Sequence, residues 1–113
     1  MLHINGNEIK LTRGDSAYLK IPIINKLPDG SEEEYELSAT DKLTMTMRKG
    51  YDGEVCFRKT IEGGNTFRIA PEDTKHCEFG KYKYDVQLVT EFGDVYTVIE
   101  PACFQVLAEV TCD

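Results

Sequence analysis

Cysteine and histidine carry the most reactive side chains of this sequence. A cysteine nucleophile needs a base close to its sulfur and a third group that orients the base. A structural zinc site needs about four well-spaced ligands. Neither arrangement can be recognised from the spacing, because His76-Cys77 is one adjacent pair and the other such residues are scattered. We therefore predict no catalytic cysteine, no metal and no cofactor among Cys56, Cys77, Cys103, Cys112, His3 and His76.

The oxidation state of the cysteines follows from the compartment that the sequence predicts. No two cysteines form a CxxC pair, and the N-terminal stretch MLHINGNEIKL lacks the apolar core of a signal peptide. We expect synthesis in the cytoplasm, where thiols stay reduced. All four cysteines are predicted to be reduced, with Cys56, Cys77 and Cys103 serving as small buried side chains.

Carboxylates are the second group that could do chemistry. A pair of them could serve a glycosidase, and a cluster could bind calcium, but nothing in the sequence fixes their separation. The glycine-rich turn Glu62-Gly63-Gly64-Asn65 lacks the Lys-Ser/Thr that a phosphate-binding loop requires. We predict that the protein is not an enzyme and that strand or turn positions are held by Asp41, Asp73, Asp85 and Asp94.

The remaining candidate residues are better suited to binding a partner than to catalysis. Arg13-Gly14-Asp15-Ser16 contains the tripeptide that integrins bind, but we interpret it as a turn between two strands, with Gly14 giving the backbone freedom. The tyrosines could form a contact surface for a sugar or a protein. Tyr82 and Tyr84 fall on an apolar strand face, whereas Tyr18 and Tyr51 are expected to be exposed.

Charge and hydropathy exclude two classes of partner. The 113 residues include 20 acidic and 13 basic side chains, for a net charge of −7. Nucleic acids and anionic membranes attract basic surfaces, so neither is an expected partner. No apolar run approaches the ~20 residues that span a bilayer.

The element that organises the chain is a hairpin from Phe79 to Pro101. Tyr82, Tyr84, Val86 and Leu88 alternate with polar residues, which is the period of two that a half-buried strand requires. A turn at 91–94 follows, and 95–99 resumes the strand pattern.

Short strands with turn signals about every ten residues fill the rest of the chain. Asn5-Gly6-Asn7 predicts an N-terminal hairpin, and Asp41 to Lys49 is a clean alternating strand. Pro22 interrupts a strand over 17–25 and indicates an edge or a bulge. Pro71 to Lys75 predicts one helical turn. The fold prediction is an all-β, antiparallel, immunoglobulin-like β-sandwich of about seven to nine short strands, forming a single domain over residues 1–113, with a small barrel as the alternative.

Several segments, taken in order, resemble small structural proteins of phages and prophages of Gram-positive bacteria. The sequence is most similar to the N-terminal domain of the baseplate upper protein family. This resemblance implies a β-sandwich that serves as a virion assembly module without catalytic residues. The segments that carry it are LTRGD (11–15), IPI (21–23), DKLTMT (41–46), PEDT (71–74), GKYKYDVQL (80–88) and GDVYTVI (93–99).

The predicted function is therefore that of a non-enzymatic phage or prophage virion structural protein of the tail or baseplate. Its partners would be other phage structural proteins or further copies of itself as a homo-oligomer, and it would pass from the cytoplasm into the virion. The alternative is a carbohydrate- or ligand-binding immunoglobulin-like module. Edges and loops are expected to bind the partner, through Arg13, Asp15, Tyr18, Lys20, Pro22, Pro28 and Tyr51.

Overall fold

Ten β-strands and one short helix make up the described part of the chain. The computed structural model describes residues 2–5, 7–50 and 52–109. The all-β prediction is confirmed, and the strands are more numerous than predicted. In chain order the elements are β1 (Leu2–Asn5), β2 (Glu8–Thr12), β3 (Ala17–Lys20), β4 (Ile24–Lys26), β5 (Glu32–Glu34), β6 (Lys42–Arg48), β7 (Val55–Glu62), β8 (Thr66–Ile69), α1 (Pro71–Lys75), β9 (Gly80–Val89) and β10 (Val95–Leu107).

Six of the strands form the main sheet, in the order β1-β2-β10-β9-β6-β7. Strand β10 pairs in parallel with β2, whereas the other neighbours in this sheet are antiparallel. The sheet is therefore mixed, and not antiparallel throughout as predicted. Side-chain alternation records which face of a strand is buried and carries no information about the direction of a neighbour far away in sequence.

The predicted hairpin is present as β9 and β10 and lies near the middle of this sheet. Tyr82, Tyr84, Val86 and Leu88 are all buried, as their alternation predicts. Strand β10 continues through Pro101 to Leu107 instead of ending at the proline. Register shifts between Thr97 and Ala102 accommodate a residue that cannot donate a ladder hydrogen bond.

Pro22 divides the predicted strand over residues 17–25 into two. Strand β3 ends at Lys20 and β4 begins at Ile24, so Pro22 lies in a connection and not in an edge strand. Ile21, which precedes it, donates its N–H to the carbonyl of Asn65 at 2.7 Å. The edges of the main sheet are instead β7 and β1, the latter in the predicted N-terminal hairpin.

A single core joins the main sheet to the two-stranded ribbon of β3 and β8. Leu19 of β3 and Phe67 of β8 belong to the same buried cluster as the inner residues of the main sheet. Phe104 meets the rings of Phe57 and Tyr84 edge to face, with centroids 6.1 and 6.0 Å away. Burial raises the pKa of Tyr84 to about 12. Within the described residues, no helix is long and apolar enough to cross a membrane.

Candidate functional site

The turn between β9 and β10 forms one wall of an open groove at one end of the molecule. Its volume is about 510 Å³, within the range of ordinary ligand sites. The opposite wall comes from the connection between β3 and β4 and from the segment after β5. We call it the apolar groove, and its lining includes Pro22, Ile23, Ile24, Tyr35, Asp41, Leu88, Glu91, Phe92, Asp94, Tyr96 and Val98.

Three large apolar side chains in the apolar groove are turned toward solvent. Phe92 is 85% exposed, Tyr96 56% and Ile24 55%. Isolated exposed apolar residues are ordinary on protein surfaces, but these three line the same groove. An apolar cluster of this kind is typical of an interaction site.

The backbone of the turn fixes the position of Phe92. Gly93 has φ +87°, a conformation that favours glycine, and its N–H donates to the carbonyl of Thr90 at 2.9 Å. The Thr90 N–H in turn donates to the carbonyl of Asp94 at 2.8 Å. Phe92 is therefore held at the tip by a closed, hydrogen-bonded turn.

Asp41 connects the β9–β10 turn to the other residues of the groove through hydrogen bonds. Its carboxylate, 1% exposed, accepts hydrogen bonds from the Tyr35 hydroxyl at 2.8 Å and from the N–H groups of Ser38 and Glu91 at 3.0 Å. The Ser38 N–H leads the donors that hold the pKa of Asp41 below its ordinary value. The same hydroxyl–carboxylate bond raises the pKa of Tyr35. Asp41 is thus a structural anchor of the groove.

A neighbouring acidic groove shares Pro22 and Ile24 with the apolar groove. Its volume is about 560 Å³, and its other lining residues are Lys20 and the three exposed glutamates of β5, Glu32–Glu34. Glu91 and Asp94 add further carboxylates on the side of the apolar groove. The two adjoining grooves thus combine exposed apolar side chains with at least five carboxylates.

The structure brings together only part of the predicted partner-binding set. Pro22 lines both grooves, Lys20 lines the acidic groove, and Tyr18 lies on the same outward face of β3 as Lys20, 67% exposed. Pro28 is exposed in a turn closed by the N–H of Gly30 on the carbonyl of Leu27 at 2.9 Å. Tyr51 lies outside the described residues.

Arg13 and Asp15 lie beyond the other end of β3, away from both grooves. The Arg13 guanidinium pairs with Glu109 at 3.2 Å and stacks 4.2 Å above the ring centroid of Phe79. Gly14 takes φ +84° and donates its N–H to Thr74 Oγ1 at 2.9 Å. The turn interpretation of this tripeptide is the one the structure supports, since Arg13 is occupied by intramolecular contacts.

Cys56 and Cys77 are joined in a disulfide, so the prediction of four reduced, scattered cysteines is wrong for this pair. Strand β7 carries Cys56, and Cys77 follows α1, which packs beside that strand. The ligand atoms of Cys56, His76 and Cys77 lie within 4.8 Å of one another. Sequence spacing could not show this contact, because it depends on the packing of α1 against β7. Cys103 is a free, partly buried thiol.

Sequence reasoning missed Phe92, and it included Tyr96 among the tyrosines of a possible contact surface without singling it out. A phenylalanine inside a hairpin turn, where polar residues prevail, is a signal that could have identified Phe92. Comparison with family models, curated proteins and solved structures finds no match for this chain.

Proposed function

We propose that this protein is a non-enzymatic structural module of a phage or prophage virion, in the tail or baseplate, that docks onto another virion protein through the apolar groove. The observation that carries the proposal is the exposure of Phe92, Tyr96 and Ile24 on one continuous groove. An apolar anchor inside a polar rim is the usual anatomy of a protein interface. The phage context itself comes from the sequence resemblance.

The charge around the groove favours a particular kind of partner. Glu91 and Asp94 line the apolar groove, Glu32–Glu34 line the groove beside it, and the whole chain carries a net charge of −7. A second copy placed on the same groove by a two-fold axis would bring acidic rims together, which is unfavourable. A different virion protein with an apolar knob and basic surroundings is complementary.

The same proposal includes the finer fold assignment. The main sheet and the β3–β8 ribbon would correspond to the two layers of an immunoglobulin-like β-sandwich, with the buried cluster between them. Such sandwiches present loops at their ends, where the apolar groove lies. The described sheet edge β1 offers a second contact by strand addition.

A carbohydrate- or small-ligand-binding module is the second candidate. The observation in its favour is the combination of Tyr35, Tyr96 and Phe92 with carboxylates inside a groove of ligand size. Tyr18 lies outside this groove, so the aromatic contact would come from Tyr96. Binding of a sugar with a Kd that Tyr96→Ala weakens would favour this candidate over assembly.

The test of the assembly proposal is incorporation into particles. A lysogen expressing Phe92→Ser should yield purified particles depleted of this chain, because the substitution removes the apolar anchor and leaves the fold intact. Tyr18→Ser is the matched control, since it removes an exposed aromatic residue outside the apolar groove. Circular dichroism verifies the fold of both variants. Equal incorporation of both variants, or absence of the chain from wild-type particles, would contradict the proposal.

A further inference from the structure

Cys56, His76 and Cys77 place two sulfurs and an imidazole at the opposite end of β9 from the apolar groove. The part of the chain that forms this cluster belongs to β7 and to the residues that follow α1. Thiolate and imidazole are the ligands that Zn²⁺ favours in proteins. We propose that these three side chains bind Zn²⁺ when the Cys56–Cys77 disulfide is reduced, so that the disulfide and the metal are alternative states of one site.

The spacing of the ligand atoms fits a tetrahedral ion. With Zn–S near 2.3 Å and Zn–N near 2.0 Å, two ligand atoms of a tetrahedral site lie roughly 3.5–3.8 Å apart. The three atoms here lie within 4.8 Å of one another. The Cα atoms of Cys56 and Cys77 are 6.3 Å apart. Small rotations of the two reduced side chains therefore suffice to seat the ion.

The hydrogen bond of His76 fixes a tautomer of the ring that is suited to metal binding. Its Nε2 lies 2.8 Å from the carbonyl oxygen of Cys56. A carbonyl oxygen only accepts, so Nε2 carries the proton and Nδ1 keeps its lone pair. Histidine ligands in metal sites commonly donate their other ring N–H to a carbonyl or carboxylate in this way.

The ligands are held together without help from the disulfide. The Asp73 carboxylate accepts from the Ala70 N–H at 2.7 Å and pairs with Lys59 of β7 at 2.7 Å, which links α1 to the strand that carries Cys56. Cys77 donates its N–H to the carbonyl of Thr74 at 2.9 Å. None of these contacts involves the disulfide, so we expect them to keep the two sulfurs near each other after reduction.

The surface next to the cluster provides a fourth coordination position. Cys77 is buried, Cys56 is partly buried and His76 is exposed, beside a groove of about 200 Å³. Glu54 and Glu78 line this groove. A water molecule or one of these carboxylates would complete the tetrahedron.

The change of state balances in electrons and protons. A dithiol reductant supplies two electrons and two protons, the Cys56–Cys77 bond breaks, and two thiols form. Zn²⁺ then displaces the two thiol protons to solvent as it binds the thiolates. Metal binding should therefore release about two protons per ion near neutral pH and fail in the oxidised protein.

The experiment uses Co²⁺ as a spectroscopic probe and Zn²⁺ as a competitor. The full chain carrying Cys103→Ser and Cys112→Ser retains only the two thiols of the site. After reduction by a phosphine and its removal under anaerobic conditions, Co²⁺ is titrated. We expect one Co²⁺ per chain, with thiolate charge-transfer bands, tetrahedral d–d bands, and displacement by one equivalent of Zn²⁺. The oxidised protein should show none of these bands.

His76→Ala separates metal binding from folding, because His76 is exposed and the disulfide does not require it. It should weaken Co²⁺ binding by about 10–100-fold, and Cys56→Ser by about 100-fold or more. The fold of each variant is verified by circular dichroism. The proposal is overturned if the reduced protein binds Co²⁺ no more tightly than Cys56→Ser, or if His76→Ala leaves the affinity and the spectrum unchanged.

Discussion

Reduction of the Cys56–Cys77 disulfide should lower the free energy of unfolding by about 3 kcal/mol. The two cysteines are 21 residues apart in sequence. In the chain-entropy account, opening a loop of this length returns about 11 cal/mol/K to the unfolded chain, which is about 3 kcal/mol at 25 °C. A domain of 113 residues gains about 0.24 kcal/mol/K on unfolding near its midpoint, so Tm should fall by about 13 °C.

The assay is thermal unfolding followed by circular dichroism, with and without reductant, in the presence of a chelator. The chelator prevents Zn²⁺ from stabilising the reduced protein. A thiol count verifies complete reduction, and Cys103→Ser is the control, since Cys103 is outside the disulfide. A Tm that stays within about 2 °C after verified reduction would refute the contribution assigned to this bond.

Two further predictions concern the core and the groove. Val86→Asp should destabilise the protein by about 4 kcal/mol or more, because an unpaired charge would replace a fully buried side chain. Gln87→Asp, at the next and exposed position, should shift Tm by only a few degrees. Equal Tm values for the two variants would refute the assignment of Val86 to the buried face of β9. The carboxylate of Asp41 has its pKa lowered from 3.8 on folding, so its contribution is present above that pH and is lost as the pH falls through the folded value. In urea unfolding, Asp41→Asn should be less stable than wild type near neutral pH, and this difference in the free energy of unfolding should shrink below pH 3.8. The exposed Asp94→Asn is the control. A difference that does not change with pH, or that Asp94→Asn reproduces, would contradict the role of Asp41.

Local patterns predicted the faces of the strands well. Leu43, Met45 and Met47 alternate with polar residues in β6, and all three are fully buried. The same rule holds for Tyr82 to Leu88 of β9. These features follow from the period-two geometry of a strand, which the order of neighbouring residues encodes directly.

Local sequence patterns could not predict features that depend on contacts between distant parts of the chain. The parallel pairing of β2 with β10 joins residues such as Ile9 and Phe104, which are far apart in sequence. The disulfide and the His76 cluster arise where α1 packs on β7. The Arg13 guanidinium is occupied by Glu109 and Phe79, so a motif that looks like a free loop tip in sequence is part of the fold.

The candidate site was predicted only at its margin. Pro22 lines both grooves and Lys20 lines the acidic groove, but the exposed apolar side chains Phe92, Tyr96 and Ile24 were not in the predicted set. The turn at 91–94 was predicted from Gly93, but the exposure of Phe92 beside it was not. Apolar side chains at a turn need a separate explanation when the turn leaves them exposed.

The proposal that this chain docks onto a virion protein through the apolar groove is tested most directly by its copy number in purified phage particles. Quantitative mass spectrometry would determine that number for wild type, Phe92→Ser and Tyr18→Ser. Docking through the apolar groove predicts a constant copy number per particle in wild type, at least a ~10-fold reduction in Phe92→Ser, and the wild-type value in Tyr18→Ser. Wild-type levels of Phe92→Ser in the particles, with its fold verified, would contradict the claim.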